Sequence, residues 1–123
     1  MPKKLTKTQI EKLATEIRDL LLNRDMWVDT RIYFNGKAYS TDDGEGHYYY
    51  KDPNHLVVLE NMDPHRYTEY AGDILTMTFE GPLYEALNYS ADYKFEKEFL
   101  DLFNKYGLFY ELGEAWNLTA VEM

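Results

Sequence analysis

Asn35-Gly36, set between Thr30-Arg31-Ile32-Tyr33-Phe34 and Lys37-Ala38-Tyr39-Ser40-Thr41, constrains the fold more than any other feature of the sequence. Both central positions of a type I′ turn need positive φ, and Asn-Gly meets that need best, so the two flanking runs pair as a tight antiparallel hairpin. The turn also sets the register. Ile32 falls opposite Tyr39 and Phe34 opposite Lys37 on one side, with Arg31, Tyr33, Ala38 and Ser40 on the other. The side bearing Ile32 and Phe34 is the one expected to meet a helix.

That helix is written immediately upstream. Thr6 and Gln9 have capping-box spacing, and Leu5 can staple onto Ile10. Ile10, Leu13, Ala14, Ile17, Leu20 and Leu21 then recur at three- and four-residue steps, which predicts an amphipathic helix ending near Arg24.

Downstream, Tyr48-Tyr49-Tyr50 and Leu56-Val57-Val58-Leu59 read as further strands, separated by Asp52-Pro53-Asn54. Asp63-Pro64 has the form of a helix cap followed by proline at the first helical position, predicting a short helix over His65 to Ala71 that stops at Gly72. Ile74 to Phe79 alternates as a strand, with Leu75, Met77 and Phe79 on one side. Pro82 can open a short helix through Asn88. Ser90 can cap a longer one with an apolar stripe of Phe95, Phe99, Leu102, Phe103 and Tyr106, ending at Gly107. Leu108 to Leu112 and Ala115 to Val121 close the chain as a hairpin turning at Gly113-Glu114. The order helix, strands, helices, strands shows no regular β-α-β alternation. It predicts an α+β fold: a mainly antiparallel sheet with an N-terminal helix and one or two later helices packed on one face, in a single globular domain over residues 1–123.

Composition narrows the chemistry. The chain has no cysteine, which excludes disulfides, thiolate nucleophiles and thiolate metal sites. No apolar run approaches the roughly 20 residues of a bilayer span, and the basic start leads into an amphipathic pattern, so a cytoplasmic location without membrane contact is expected. Charge is uneven. Residues 1–37 carry 8 basic and 5 acidic groups, leaving 5 basic against 17 acidic for residues 38–123. Twelve tyrosines supply rigid contact area with polar tips.

Signals for catalysis are thin. There is no glycine-rich phosphate loop with its lysine, no nucleophile elbow and no two-histidine metal spacing, so no catalytic residue, cofactor or metal site is assigned. Asp42, Asp43, Glu45 and His47 cluster in one loop, but their spacing does not fit a calcium loop. His47, His55 and His65 fall in or near loops, where surface imidazoles are commonplace. Glu80 and Glu85 sit beside Pro82, where a helix start favours acidic side chains without any catalytic purpose. Tyr48-Tyr49-Tyr50 resembles a base-stacking platform, yet the acidic surroundings oppose phosphate binding, and alternation predicts partial core burial instead. Direct nucleic-acid binding is therefore disfavoured despite the basic start at Lys3, Lys4, Lys7 and Lys12. Asn117-Leu118-Thr119 matches a glycosylation pattern without an export signal to give it meaning.

The reading these features favour is a non-enzymatic, acidic protein-binding module with a basic protein partner. In its sharpest form it is an inhibitor of a nucleic-acid-handling protein, of the anti-CRISPR or anti-restriction type, whose carboxylates occupy the positions of phosphates on a nuclease or CRISPR effector. The candidate partner-binding groups are Asp42, Asp43, Glu45, Asp52, Glu60, Asp63, Glu69 and Asp73, with Tyr48, Tyr49 and Tyr67 as anchors. Two alternatives stay open: an immunity protein or antitoxin for one toxin, and a small enzyme or ligand-binding domain with a pocket lined by Tyr33, Phe79, Tyr110 and Trp116.

Overall fold

A computed structural model describes residues 5–89 and 93–123. The first helix, α1 (Lys7–Asn23), begins where the capping box places it: Gln9 N donates to Thr6 Oγ1 at 3.1 Å, and Thr6 N donates to Gln9 Oε1 at 2.9 Å. Thr6→Ala removes both the acceptor and the reciprocal geometry, and is expected to cost about 1 kcal/mol in urea unfolding. The buried face of α1 is Ile10, Leu13, Ala14, Ile17 and Leu21, together with Arg18.

Strands β1 (Thr30–Phe34) and β2 (Lys37–Ser40) form the hairpin in the expected register, with Asn35 and Gly36 at φ 51° and 78°. The remaining elements are β3 (Val57–Glu60), β4 (Thr76–Phe79), α2 (Gly81–Asn88), α3 (Tyr93–Asn104), β5 (Leu108–Leu112) and β6 (Asn117–Glu122). All six strands join one antiparallel sheet in the order β3-β2-β1-β4-β6-β5. The three helices share one apolar core with a single face of it, made by Ile32, Phe34, Tyr39, Leu75, Met77, Leu118 and Ala120. This is an α+β architecture with its helices segregated to one side.

Three local expectations are corrected. Tyr48-Tyr49-Tyr50 is not a strand but part of a loop that touches the sheet only at a single bridge between Asp42 and Tyr48. The Asp43 carboxylate accepts from the backbone N–H of Glu45 (2.8 Å) and His47 (3.1 Å), and Gly44 and Gly46 take positive φ, so the chain curls where a strand would run straight. Partial core burial fails with it: Tyr48 is 61% exposed and Tyr50 41%. The segment is held by Tyr49 N donating to Thr41 O (2.7 Å) and Lys51 N to Trp27 O (2.9 Å), and the stretch after it by the Arg18 guanidinium, which donates to the carbonyls of Asp52 (3.4 Å) and His55 (3.2 Å).

The helix expected over His65 to Ala71 shrinks to one 3-10 turn, Pro64–Arg66, capped by Asp63 as read. Tyr67 leaves to stack on Tyr33, and the Thr68 hydroxyl accepts from Tyr70 N at 3.1 Å, offering the backbone an alternative to continuing the helix. The last hairpin stands, but β6 starts at Asn117 rather than Ala115. Asn117 Oδ1 accepts from Glu114 N at 3.1 Å, and Gly113 N donates to Asn117 O at 3.2 Å, closing a longer turn that sets Trp116 outside the ladder. Ser90, the expected cap of α3, lies outside the described residues.

Candidate functional site

The face of the sheet opposite the helices carries Arg31 and Tyr33 from β1, Ala38 and Ser40 from β2, Thr76 and Thr78 from β4, and Asn117 and Thr119 from β6. Apart from Arg31 and Tyr33 these are short side chains, so the surface is shallow and accepts cover from the loops. Tyr67 supplies part of that cover, stacked on Tyr33 with ring centroids 5.6 Å apart. Tyr70 seats against Gly113, where an added Cβ would lie 2.4 Å from Tyr70 Cβ, so only glycine admits the ring.

Between Tyr67, the 41–50 loop and Trp116 the cover is incomplete, leaving a cleft with a volume of about 380 Å³. Its floor is Arg31. The Arg31 fork donates from Nε to Asp42 Oδ1 (3.2 Å) and from Nη2 to Asp42 Oδ2 (3.0 Å), and its guanidinium carbon lies 5.9 Å from the Tyr67 ring centroid. Asp42 also accepts from Ser40 Oγ (2.6 Å) and Gly44 N (3.1 Å). Burial alone would raise the Asp42 carboxyl, but Arg31 and Ser40 overcome it and hold the group below the usual carboxylate range. Burial likewise opposes the Arg31 charge, and the Asp42 carboxylate more than restores it.

Asp29 and Glu80 add two further carboxylates at the edge of the cleft, tied together by Glu80 N donating to Asp29 O at 2.9 Å. The Tyr50 hydroxyl donates to the Asp29 carboxylate, which together with burial pushes that phenol up to about 12. Tyr48 and Trp116 complete the walls.

The residues read from the sequence separate into three groups. Asp42, Tyr48 and Tyr67 meet at the cleft. Asp43, Asp52 and Asp63 serve local structure: each accepts backbone N–H bonds and contacts a histidine ring nitrogen, at 2.7 Å to His47, 2.5 Å to His55 and 3.0 Å to His65. Those backbone bonds, with the histidines, hold all three carboxyls below their usual range. Tyr49 is half-buried, stacked 4.8 Å from the His55 ring, and Glu60 sits opposite Lys37 at the sheet edge. Glu45, Glu69 and Asp73 are exposed and make no ion pair among the described residues.

The pocket expected from Tyr33, Phe79, Tyr110 and Trp116 is also corrected. Tyr33 and Trp116 line the cleft and Phe79 borders it, although its side chain is buried in the core on the helix side. Tyr110 too lies on the helix face, 5.1 Å from Phe99 and 5.3 Å from Phe103. Tyr110 pairs with Ala120, a core position, so strand alternation sends its ring away from the cleft.

Arg31, Asp29, Glu80 and Tyr50 were not foreseen as site residues. Glu80 stood in the sequence only as a helix-start acid and Tyr50 only as part of the tyrosine run, while the hairpin register puts Arg31 opposite Ser40, two residues before Asp42. Among the described residues no His, Asp or Glu cluster has metal-holding geometry, and no hydroxyl is hydrogen-bonded to any of the three histidines. No described helix is long and apolar enough to cross a membrane.

The fold and cleft together define a small α+β fold whose second sheet face is covered by loops except at one cleft, aromatic in its walls and acidic at its rim. No protein-family model matches the chain, and no match was found among curated proteins or solved structures.

Proposed function

We propose that this chain is a non-enzymatic binding protein that applies the loop-covered face of its sheet, around the cleft, to a basic protein partner, and that its sharpest role is inhibition of a nucleic-acid-handling protein. The observation that carries the reading is the gathering of exposed rings on that face: Tyr48, Tyr67, Tyr70 and Trp116 are 61%, 45%, 49% and 37% exposed. Tyrosine and tryptophan dominate interface hot spots, since they contribute large area with few rotatable bonds. Asp29 and Glu80 line the cleft with Tyr48, Tyr67 and Trp116, Glu69 lies beside Tyr67, Tyr70 and Trp116, and Glu45 and Asp73 are exposed in loops. Residues 38–123, which hold all of these acids but Asp29, carry 17 acidic and 5 basic groups. Such a field steers a basic partner and repels nucleic acid, so the surface that would hold phosphates on the partner is the natural complement.

The test is capture of host proteins on the immobilised chain at low and then high salt, followed by competition with duplex DNA and with RNA. The reading expects a basic nucleic-acid-binding protein that is held at low salt, released as salt rises, and displaced by nucleic acid. Replacing Glu45, Glu69, Asp73 and Glu80 with their amides should weaken that capture. Retention indifferent to salt and to those four changes would overturn it.

A further inference from the structure

We infer that the cleft over Arg31 receives an arginine side chain from the partner, with its guanidinium between the aromatic walls and facing Glu80 and Asp29. This rests on the basic-partner reading and deepens it by naming the anchoring group.

Charge comes first. Asp29, Asp42 and Glu80 are the anionic groups lining the cleft and Arg31 the cationic one, leaving two negative charges uncompensated. Arg31 and Asp42 satisfy each other, so the excess belongs to Asp29 and Glu80. The Tyr50 hydroxyl occupies one oxygen of Asp29. Glu80 stands at the N-cap of α2, exposed, and its side chain makes no capping hydrogen bond and no ion pair among the described residues. Its acceptor capacity is unspent at the cleft edge.

The walls select the shape of the cation. Tyr48, Tyr67 and Trp116 line the cleft, and a planar guanidinium packs on aromatic rings while its N–H fork meets carboxylates. An ammonium ion is compact and strongly hydrated, and an anion would meet the uncompensated negative charge. Arg31 already displays the required chemistry in the same place: a guanidinium forked onto a carboxylate and lying over the Tyr67 ring. The incoming arginine repeats that arrangement one layer outward.

Trp116 makes the cleft observable, because the other tryptophan, Trp27, is 1% exposed and serves as an internal reference. N-acetyl-arginine methylamide would be titrated into the full chain while the two indole N–H signals are followed by NMR, with the uncharged citrulline analogue and the lysine analogue in parallel. A saturable shift of Trp116 alone is expected with the arginine probe. Affinity should fall at least about fivefold for citrulline, and about three- to tenfold in Glu80→Gln, consistent with loss of a charge-assisted contact. Equal response to arginine and citrulline, an unchanged Glu80→Gln, or a silent Trp116 would overturn the inference.

A second arm uses immobilised arginine-rich and lysine-rich peptides of equal charge. Preference for the arginine peptide, lost in Glu80→Gln, supports the cleft. Equal binding of both peptides, unaffected by Glu80→Gln, overturns the cleft while the broader basic-partner reading stands. Binding of the blocked arginine without binding of either peptide supports the cleft and removes the broader reading.

Discussion

Phe99→Ala is expected to lower the unfolding free energy by about 3–5 kcal/mol, read as a shift of the urea midpoint at constant slope. Phe99 is fully buried at the centre of the helix layer, stacked on Phe95 at 5.5 Å, edge-on to Phe103 at 5.3 Å and tilted against Tyr110 at 5.1 Å. Truncation loses the transfer free energy of the ring and leaves a void between α3 and β5. The neighbouring rings cannot close it without giving up their own contacts. Domains of this size are stable by only about 5–15 kcal/mol, so the variant should sit near its folding threshold. The cleft lies on the opposite face of the sheet. The molecules that remain folded should therefore bind the arginine probe with wild-type affinity. A loss below about 1 kcal/mol would mean that the ring cluster is not packed as described.

The elements that were legible in the sequence are those whose causes lie within a few residues. Thr6 and Gln9 start α1 through bonds three residues apart, and Asn35-Gly36 fixes both the turn and the β1–β2 register. The alternation of Leu75, Met77 and Phe79 and the stripe of Phe95, Phe99 and Phe103 assign faces, and the structure buries all six on the helix side. The two loop segments are less legible because side-chain bonds to the backbone at Asp43 and Thr68 bend the chain where the apolar pattern runs on, and distant groups then hold it there. Arg18 holds the loop through carbonyls 34 and 37 residues away, and Tyr67 leaves its helical turn for a ring 34 residues before it. The cleft was half visible for the same reason. Asp42, Tyr48 and Tyr67 stood out as an acid and two rings. Glu80 and Trp116 meet only because β4 pairs with β6, where Phe79 N donates to Trp116 O at 2.8 Å. A carboxylate count also cannot separate acids that close turns, as Asp43, Asp52 and Asp63 do, from acids left free, such as Glu45 and Glu69.

Asp42→Asn should cost about 2–3 kcal/mol at neutral pH and should change how the protein responds to acid. Asp42 and Arg31 each retain 24% side-chain exposure, so the pair is partly dried, and the loss falls short of that for a fully buried pair. The asparagine cannot complete the fork, and the guanidinium is stranded beside Tyr67 without its counter-charge. Arg31→Met combined with Asp42→Asn should therefore recover part of the loss, because no unpaired charge remains. The sign of the pH effect follows from the direction of the Asp42 shift. The carboxyl is held below its ordinary value in the fold, so on acidification the unfolded chain takes up the proton first. The stability from this group is fully present above about pH 5, where the unfolded carboxyl is also ionised, and is lost as pH falls below that toward the lower, folded value, while Arg31 stays charged throughout. The stability gap between wild type and Asp42→Asn should narrow between about pH 5 and pH 2. Asp43, Asp52 and Asp63 are depressed in both proteins and cancel from that difference. A gap that stayed constant over this range would show that Asp42 is not held by Arg31. The same substitution frees the Arg31 charge inside the cleft, so the arginine probe should bind more weakly to Asp42→Asn than to wild type even under conditions where both are fully folded.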